Sequence, residues 1–227
     1  MRSASHISDQ LRSEGFAFLK AYKLLLSTND MFQTIGTIEA VEGLKSIHTL
    51  TPTPIHEAPP NTYSGNFGTS EFPLHTDLAH WSMPPRYLGL RCIVGTSAVP
   101  TRVYDGNGLI LHFGLSELRM LLVHPRRPMM GEKQLLPILQ RCDAGMDMRL
   151  RWDGIYLRPA MASATNLFSE IKSFVTAAKP QDVVLSEPGD VLIIDNWRIL
   201  HGRAPTPPES SSRRIERAYL SSIYGQS

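Results

Sequence analysis

The 227-residue chain is predicted to fold as a mainly β protein with added helices, in a β-sandwich or jelly-roll arrangement. Three observations predict this. Short segments of strand composition outnumber helical ones. Turn dipeptides and proline-rich stretches separate them. Strands do not alternate with helices, as a parallel α/β sheet requires.

The elements follow in order. SDQLRSEGFAFLKAY predicts a short helix, capped at Ser8 or Asp9, running into an apolar strand. Residues 51–62 carry Pro52, Pro54, Pro59 and Pro60 and predict an irregular loop, and the glycine-rich GNFGTSEFPLHTD continues it as far as Phe72. RYLGLRCIVG (86–95) and TRVYD (101–105) have strand composition. GLSELRMLLVH (114–124) places apolar residues at helical spacing behind Ser116 as cap. RLRWDGIYLRP (149–159) predicts a hairpin turning at Asp153-Gly154. The clearest helix is 163–179, with Leu167, Phe168, Ile171 and Val175 on one face. DVVLSEPGDVLIIDN (182–196) reads as strand, Pro-Gly turn, strand. APTPPESSS (204–212) is a loop, and RRIERAYLSSIYG (213–225) a final strand. No internal repeat is present, and residues 1–227 are expected to form a single domain.

Composition narrows the function. A hydrophobic fraction of 42 % and a charged fraction of 19 % are those of an ordinary globular protein. The formal net charge of +2 gives no electrostatic reason to bind nucleic acid or an anionic membrane. Cys92 and Cys142 are too few for a disulfide scaffold. No apolar run reaches the roughly 20 residues that span a bilayer. The first twenty residues lack the apolar core of a signal peptide, so a cytoplasmic location is expected.

Three segments carry more polar chemistry than packing needs. His75-Thr76-Asp77, read on a strand, places an imidazole and a carboxylate on one face. His201 closes the segment DNWRILHGR after an apolar strand, and a closed fold would bring it to the first pair. Two histidines and one carboxylate suit a divalent metal and leave open coordination positions, enough for a bidentate 2-oxo acid and dioxygen. Arg213, at the start of the last strand, can clamp a distal carboxylate, and Arg217, four residues on, faces the same side.

The segments LHTDLAHWSMPPRYLGLRC, EPGDVLIIDNWRILHGR and RRIERAYL resemble the taurine dioxygenase superfamily of 2-oxoglutarate-dependent oxygenases, nearest its clavaminate synthase-like and asparagine-oxygenase branch. The resemblance anchors the chain from about residue 63 to its end. It implies a double-stranded β-helix, cupin-like, with Fe(II) held by His75, Asp77 and His201. It further implies that 2-oxoglutarate is bound by Arg213 and Thr101 and an acidic group of the substrate by Arg217. The implied reaction uses O2 to oxidise, typically to hydroxylate, a C–H bond of an amino acid or amino-acid-derived small molecule, as in specialised metabolism, with release of succinate and CO2. Two departures stand out. Asp77 occupies a position that is Glu in several members of the branch. The region before residue 60 and the loop between His201 and Arg213 are short.

His80 and Glu71 flank the ligand pair and are candidate substrate contacts. His6, His48, His56, His112 and His124 are read as surface or structural residues, and Trp81, Trp152 and Trp197 as core. Asp195 and Asn196 are read as orienting the turn before His201, and Arg203 as the partner of a carboxylate. A homo-oligomer is left open. Three rival readings remain: a non-catalytic β-helix protein binding a small ligand beside a relict metal site, a zinc hydrolase using the same three ligands, and a hydroxylase of protein side chains. The first would release no succinate, the second would have no use for Arg213, and the third would need a wide electronegative groove.

Overall fold

The computed structural model describes residues 4–127, 134–142 and 147–225. Two antiparallel sheets face each other. The larger holds β1 (Phe16–Leu19), β2 (Gly36–Ile38), β3 (His48–Leu50), β5 (Tyr87–Val94), β13 (Val191–Asp195) and β15 (Arg214–Ile223), in the order β1-β13-β5-β15-β2 with β3 also joined to β15. The smaller holds β4 (Phe72–His75), β6 (Thr101–Asp105), β12 (Gln181–Val183) and β14 (Ile199–Arg203), in the order β12-β6-β14-β4. Two minor sheets lie beside them. One pairs β9 (Leu139–Arg141) with β10 (Met148–Leu150), and the other joins β7 (Leu122–Pro125), β8 (Leu136–Pro137) and β11 (Leu157–Pro159). The predicted mainly-β class holds, and facing antiparallel sheets are what a jelly roll requires.

Strand alternation sorts the core into layers. Leu88, Leu90, Cys92, Leu192, Ile194, Ile215 and Tyr219 of the larger sheet meet Val103, Val183 and Ile199 of the smaller. The opposite face of the larger sheet, through Val191, Ile193, Ala218 and Leu220, packs on Ile7 and Leu11 of α1 (Ala4–Glu14) and on Met31 and Phe32 of α2 (Thr28–Gln33). VLII is therefore apolar throughout because β13 is covered on both faces. Gly89 lets α2 seat directly on β5, since a Cβ there would collide with the Phe32 ring. The outer side of the smaller sheet, through Leu200, packs on Leu109, Leu118, Phe168, Ile171 and Val175. These come from α4 (Asn107–Phe113), α5 (Leu115–Met120) and α6 (Thr165–Ala177). A short α3 (Tyr63–Phe67) precedes β4.

Four expectations are corrected. α1 starts at Ala4, a turn before Ser8, because Ile7 and Leu11, four apart, both bury on the sheet. The 114–124 segment is a single helical turn or two followed by a strand, because Leu122–Pro125 is captured by long-range pairing with β8 and β11. The strands flanking Asp153-Gly154 do not form a hairpin: β10 pairs with β9 and β11 with β7. The loop before Phe72 contains α3, capped by Thr62, whose hydroxyl accepts the Gly65 N–H. Cys92 is buried and Cys142 partly buried, and the two are not joined in a disulfide. No described helix is long and apolar enough to cross a membrane.

Candidate active site

On β14 the pleat sends Leu200 outward and Ile199 and His201 into the space between the sheets. His201 is the direct cross-strand partner of His75 on β4, and their ring centroids lie 4.6 Å apart. Asp77 does not sit on that strand, contrary to the His-x-Asp alternation argument. β4 ends at His75, because Thr76 leaves the sheet to exchange hydrogen bonds with Trp152: its N–H donates to the Trp152 carbonyl at 2.8 Å, and its hydroxyl accepts the Trp152 N–H at 3.1 Å. The chain then turns back through Leu78, a non-glycine residue at φ +54°.

The turn brings Asp77 Oδ1 to 3.3 Å from His75 Nε2 and 3.5 Å from His201 Nε2. One donor atom from each of the three residues lies within 4.8 Å of the others, and all three residues are buried. The donors are prepared for a cation. His75 Nδ1–H donates to the Pro73 carbonyl at 2.9 Å, so Nε2 is the nitrogen turned toward Asp77 and the one left for a cation. Asp77 Oδ2 is occupied by the Tyr219 hydroxyl at 2.8 Å and Arg217 Nη1 at 3.1 Å, so Oδ1 is the oxygen turned to the imidazoles. A mixed N,N,O set of this kind fits an iron(II) ion with positions left over.

Electrostatics follow the packing. Burial pushes the Asp77 carboxyl up, but the Arg217 charge and the two histidines outweigh it and hold the group well below the usual carboxylate range. Burial would lower His75, yet its contact with Asp77 leaves it raised. Burial and the neighbouring His75 lower His201.

A cavity of about 470 Å³ opens over this cluster. On one flank stand Thr101, Arg203 and Arg213. Arg213 immediately precedes β15 rather than beginning it, and Arg213, Ile215, Arg217 and Tyr219 all line the cavity, so the same-side expectation holds. Arg213 is 7 % exposed and pairs with no acidic group among the described residues, and its Nε has no hydrogen-bond partner. Arg203, expected beside a carboxylate, instead donates to the Gly68 and Ser70 carbonyls at 2.9 and 2.7 Å and lies over the Phe72 ring at 3.6 Å. Buried Thr101 is cross-strand from Arg203.

The other flank holds His80, Tyr63, Asp153 and Tyr156. Burial lowers His80, whose Nδ1 is buried without a partner. Tyr63 stacks on His75 with centroids 4.0 Å apart and donates its hydroxyl to Asp153 Oδ2 at 3.0 Å. Asp153 Oδ1 accepts the Ile155 and Tyr156 N–H groups, so this 2 %-exposed carboxylate is fixed in the wall. Asp153, a turn residue by sequence, thus also forms part of the cavity lining. Glu71 is corrected in the other direction: its exposed carboxylate pairs with Arg102 and borders a separate cleft, outside the cavity over the His75–Asp77–His201 cluster. His48, read as bland, lines the cavity mouth beside Arg217, its partner across β3 and β15. Asn196 acts on the Asp77 turn rather than only on its own: its Oδ1 accepts the Asp77 N–H at 2.7 Å, and its Nδ2 donates to the carbonyls of Asp77 and Pro85 at 3.0 and 2.9 Å.

Residues 161–219, from before α6 through His201 and Arg213 to Tyr219, match the model of the Taurine catabolism dioxygenase TauD, TfdA family. An L-lysine 3-hydroxylase of Catenulispora acidiphila is 25 % identical over 166 residues, covering 66 % of this chain and 45 % of the relative. The chain thus spans less than half the length of that curated relative. Among solved structures, asparagine oxygenase in complex with Fe(II), 3-hydroxyasparagine and succinate aligns with a TM-score of 0.70 at 18 % identity, over 96 % of this chain and 78 % of that one. PvcB of Pseudomonas aeruginosa gives 0.66 at 16 % identity, over 96 % and 79 %. The non-heme iron oxygenase OrfP, in complex with Fe, succinate and (3S)-hydroxy-L-Arg, gives 0.60 at 24 % identity, over 78 % and 57 %. The fold is that of these oxygenases, and the family resemblance drawn from the motifs is borne out.

Proposed function

We propose that the chain is an iron(II)- and 2-oxoglutarate-dependent dioxygenase that hydroxylates a free amino acid, with a basic side chain the favoured substrate class. The observation that carries the reading is the convergence of His75, Asp77 and His201 beside a buried Arg213 that has no acidic partner among the described residues. His75, Asp77 and His201 hold the metal. When bound, iron(II) with 2-oxoglutarate and dioxygen supplies the oxidative decarboxylation to succinate and CO2 and the oxidising power for the C–H bond.

The chain's own residues do the rest. Arg213, with Thr101, grips the far carboxylate of the cosubstrate and sets its approach to the metal. Arg217, already near the cavity mouth with His48, takes the substrate carboxylate. Asp153 in the cavity wall meets a cationic side chain, and His80, whose charge burial disfavours, lines the same cavity. Lysine and arginine derivatives in the names of two relatives agree with that wall. A cavity of 470 Å³ suits a cosubstrate and one amino acid better than a polypeptide. A zinc hydrolase leaves Arg213 without a task, and a relict binder has no need of a tautomer-fixed His75.

The test is anaerobic addition of Fe(II) and 2-oxoglutarate, followed by oxygen and a panel of amino acids. A visible charge-transfer absorption is expected, absent in His75→Ala and His201→Ala, with succinate release stimulated most by basic amino acids. Parent-like absorption in both variants, or no succinate with any amino acid, refutes the proposal.

A further inference from the structure

Asp77 carries an unusual burden. It is the ligand that lies off the sheet, on a turn that passes through a left-handed leucine, a conformation that crowds a residue with a Cβ. A short aspartate on such a turn could rotate about χ1 and χ2, presenting either oxygen or neither. Arg217 Nη1 already holds Oδ2 at 3.1 Å, and the structure removes the remaining freedom at two further points. The Tyr219 hydroxyl reaches across from β15 to Oδ2 at 2.8 Å. The fully buried Asn196 side chain, from the turn between β13 and β14, engages both the N–H and the carbonyl of Asp77 and ties them to the Pro85 carbonyl. Both act on Asp77, one of the three residues of the His75–Asp77–His201 cluster.

We propose that Tyr219 and Asn196 are positioning residues that preset Asp77 before the metal arrives, Tyr219 choosing the carboxylate oxygen and Asn196 holding the backbone turn. The inference rests on the reading of His75, Asp77 and His201 as metal ligands. Its physical content is preorganisation. Without the brace, metal binding must order the turn and select the oxygen, and affinity falls by the population of the competent arrangement. Asn196 also lies five residues before His201 on the same connection, so one side chain couples the Asp77 turn to the strand bearing the third ligand.

The experiment titrates metal-free protein with Co(II), a visible reporter of coordination, and follows hydrogen exchange over residues 76–82 without metal. Tyr219→Phe is expected to bind Co(II) 10–100-fold more weakly, with an altered ligand-field spectrum and exchange protection close to the parent's. Asn196→Ala is expected to weaken Co(II) by a similar factor and to speed exchange across 76–82. Asn196→Asp, which keeps the acceptor for the Asp77 N–H but loses both donations, is expected to fall between. A purely structural role lowers the melting temperature and leaves the Co(II) affinity of the folded protein unchanged, and that outcome overturns the inference. If Asn196→Ala does not fold, Tyr219→Phe and Asn196→Asp decide. A parent that binds no Co(II) overturns the ligand reading itself, whereas parent-like affinity in both Tyr219→Phe and Asn196→Asp overturns only the brace.

Discussion

Replacing Arg213 with methionine should weaken the cosubstrate complex and strengthen the empty protein at once. The guanidinium is 7 % exposed, has no acidic partner among the described residues, and is pushed to a lower pKa chiefly by burial. Its charge is therefore stranded until a dicarboxylate arrives. Removing one partner of a buried ionic contact costs roughly 2–5 kcal/mol, which is about 30- to 5,000-fold in the dissociation constant for 2-oxoglutarate. In the absence of cosubstrate the sign reverses, since an apolar side chain of similar length in place of a buried charge is neutral or stabilising by about 1–4 kcal/mol. At about 2–4 °C per kcal/mol for a chain of this size, a gain of 1–2 kcal/mol raises the melting temperature by roughly 2–8 °C. Differential scanning fluorimetry with and without 2-oxoglutarate, together with isothermal titration, reads both effects. The parent should gain thermal stability with ligand while the variant starts higher and gains little. A variant that melts lower than the empty parent, or one that keeps parent-like 2-oxoglutarate affinity, refutes the reasoning.

Two further outcomes test the pocket and the fold. Asp153→Asn keeps an acceptor for the Ile155 and Tyr156 N–H groups but removes the charge, so kcat/KM for lysine or arginine should fall at least about 30-fold while Co(II) and 2-oxoglutarate binding stay near parental values. Equal losses for basic and neutral amino acids would show that Asp153 does not read side-chain charge. The Asp195 carboxyl is raised to about 6, by burial against the opposing pull of Arg86 and the Trp197 N–H. The folded state thus binds this proton more tightly than the unfolded chain, so stability grows as pH falls from about 6 to about 4 and the penalty is complete above 6. The shift corresponds to at most about 3 kcal/mol. Asp195→Asn should flatten that part of the stability–pH profile and raise stability at pH 7 in urea unfolding. Parallel profiles for parent and variant would contradict the assignment.

The His75–Asp77–His201 cluster is legible because two of its parts are local words, H-T-D and H-G-R, each attached to a recognisable strand. Their convergence was not, and it depends on the cross-strand pairing of His75 with His201. Strand reading misplaced Asp77 because nothing local shows that Thr76 leaves the sheet for Trp152. Glu71 looked like a neighbour of the site by sequence distance, but Arg102 draws it to another cleft. Asp153 was hidden by its own turn chemistry: the Asp-Gly pair does make a turn, and the same carboxylate also faces the cavity. Tyr219 could have been found by carrying the alternation of Arg213, Ile215 and Arg217 one step further. The short helices α2 and α3 were too brief for periodicity to register, although Ser27 and Thr62 were available as caps. The long helix α6 and the strands β5, β6, β13 and β15 match the sequence reading, because strand and helix composition there coincides with the residues the fold buries, although β15 buries Ala218, Tyr219 and Leu220 in a row rather than alternately.

The reactive groups are divided between two slabs. His75 and His201 belong to the four-stranded layer, whereas Arg213, Arg217 and Tyr219 hang from the six-stranded one. A small diacid anchored at one end to the histidine-bearing layer and at the other to Arg213 would therefore act as a removable rivet between them. Loading would add a polar tie to the apolar packing that already joins the layers, and turnover, by shortening the diacid by one carbon, would loosen that tie each cycle.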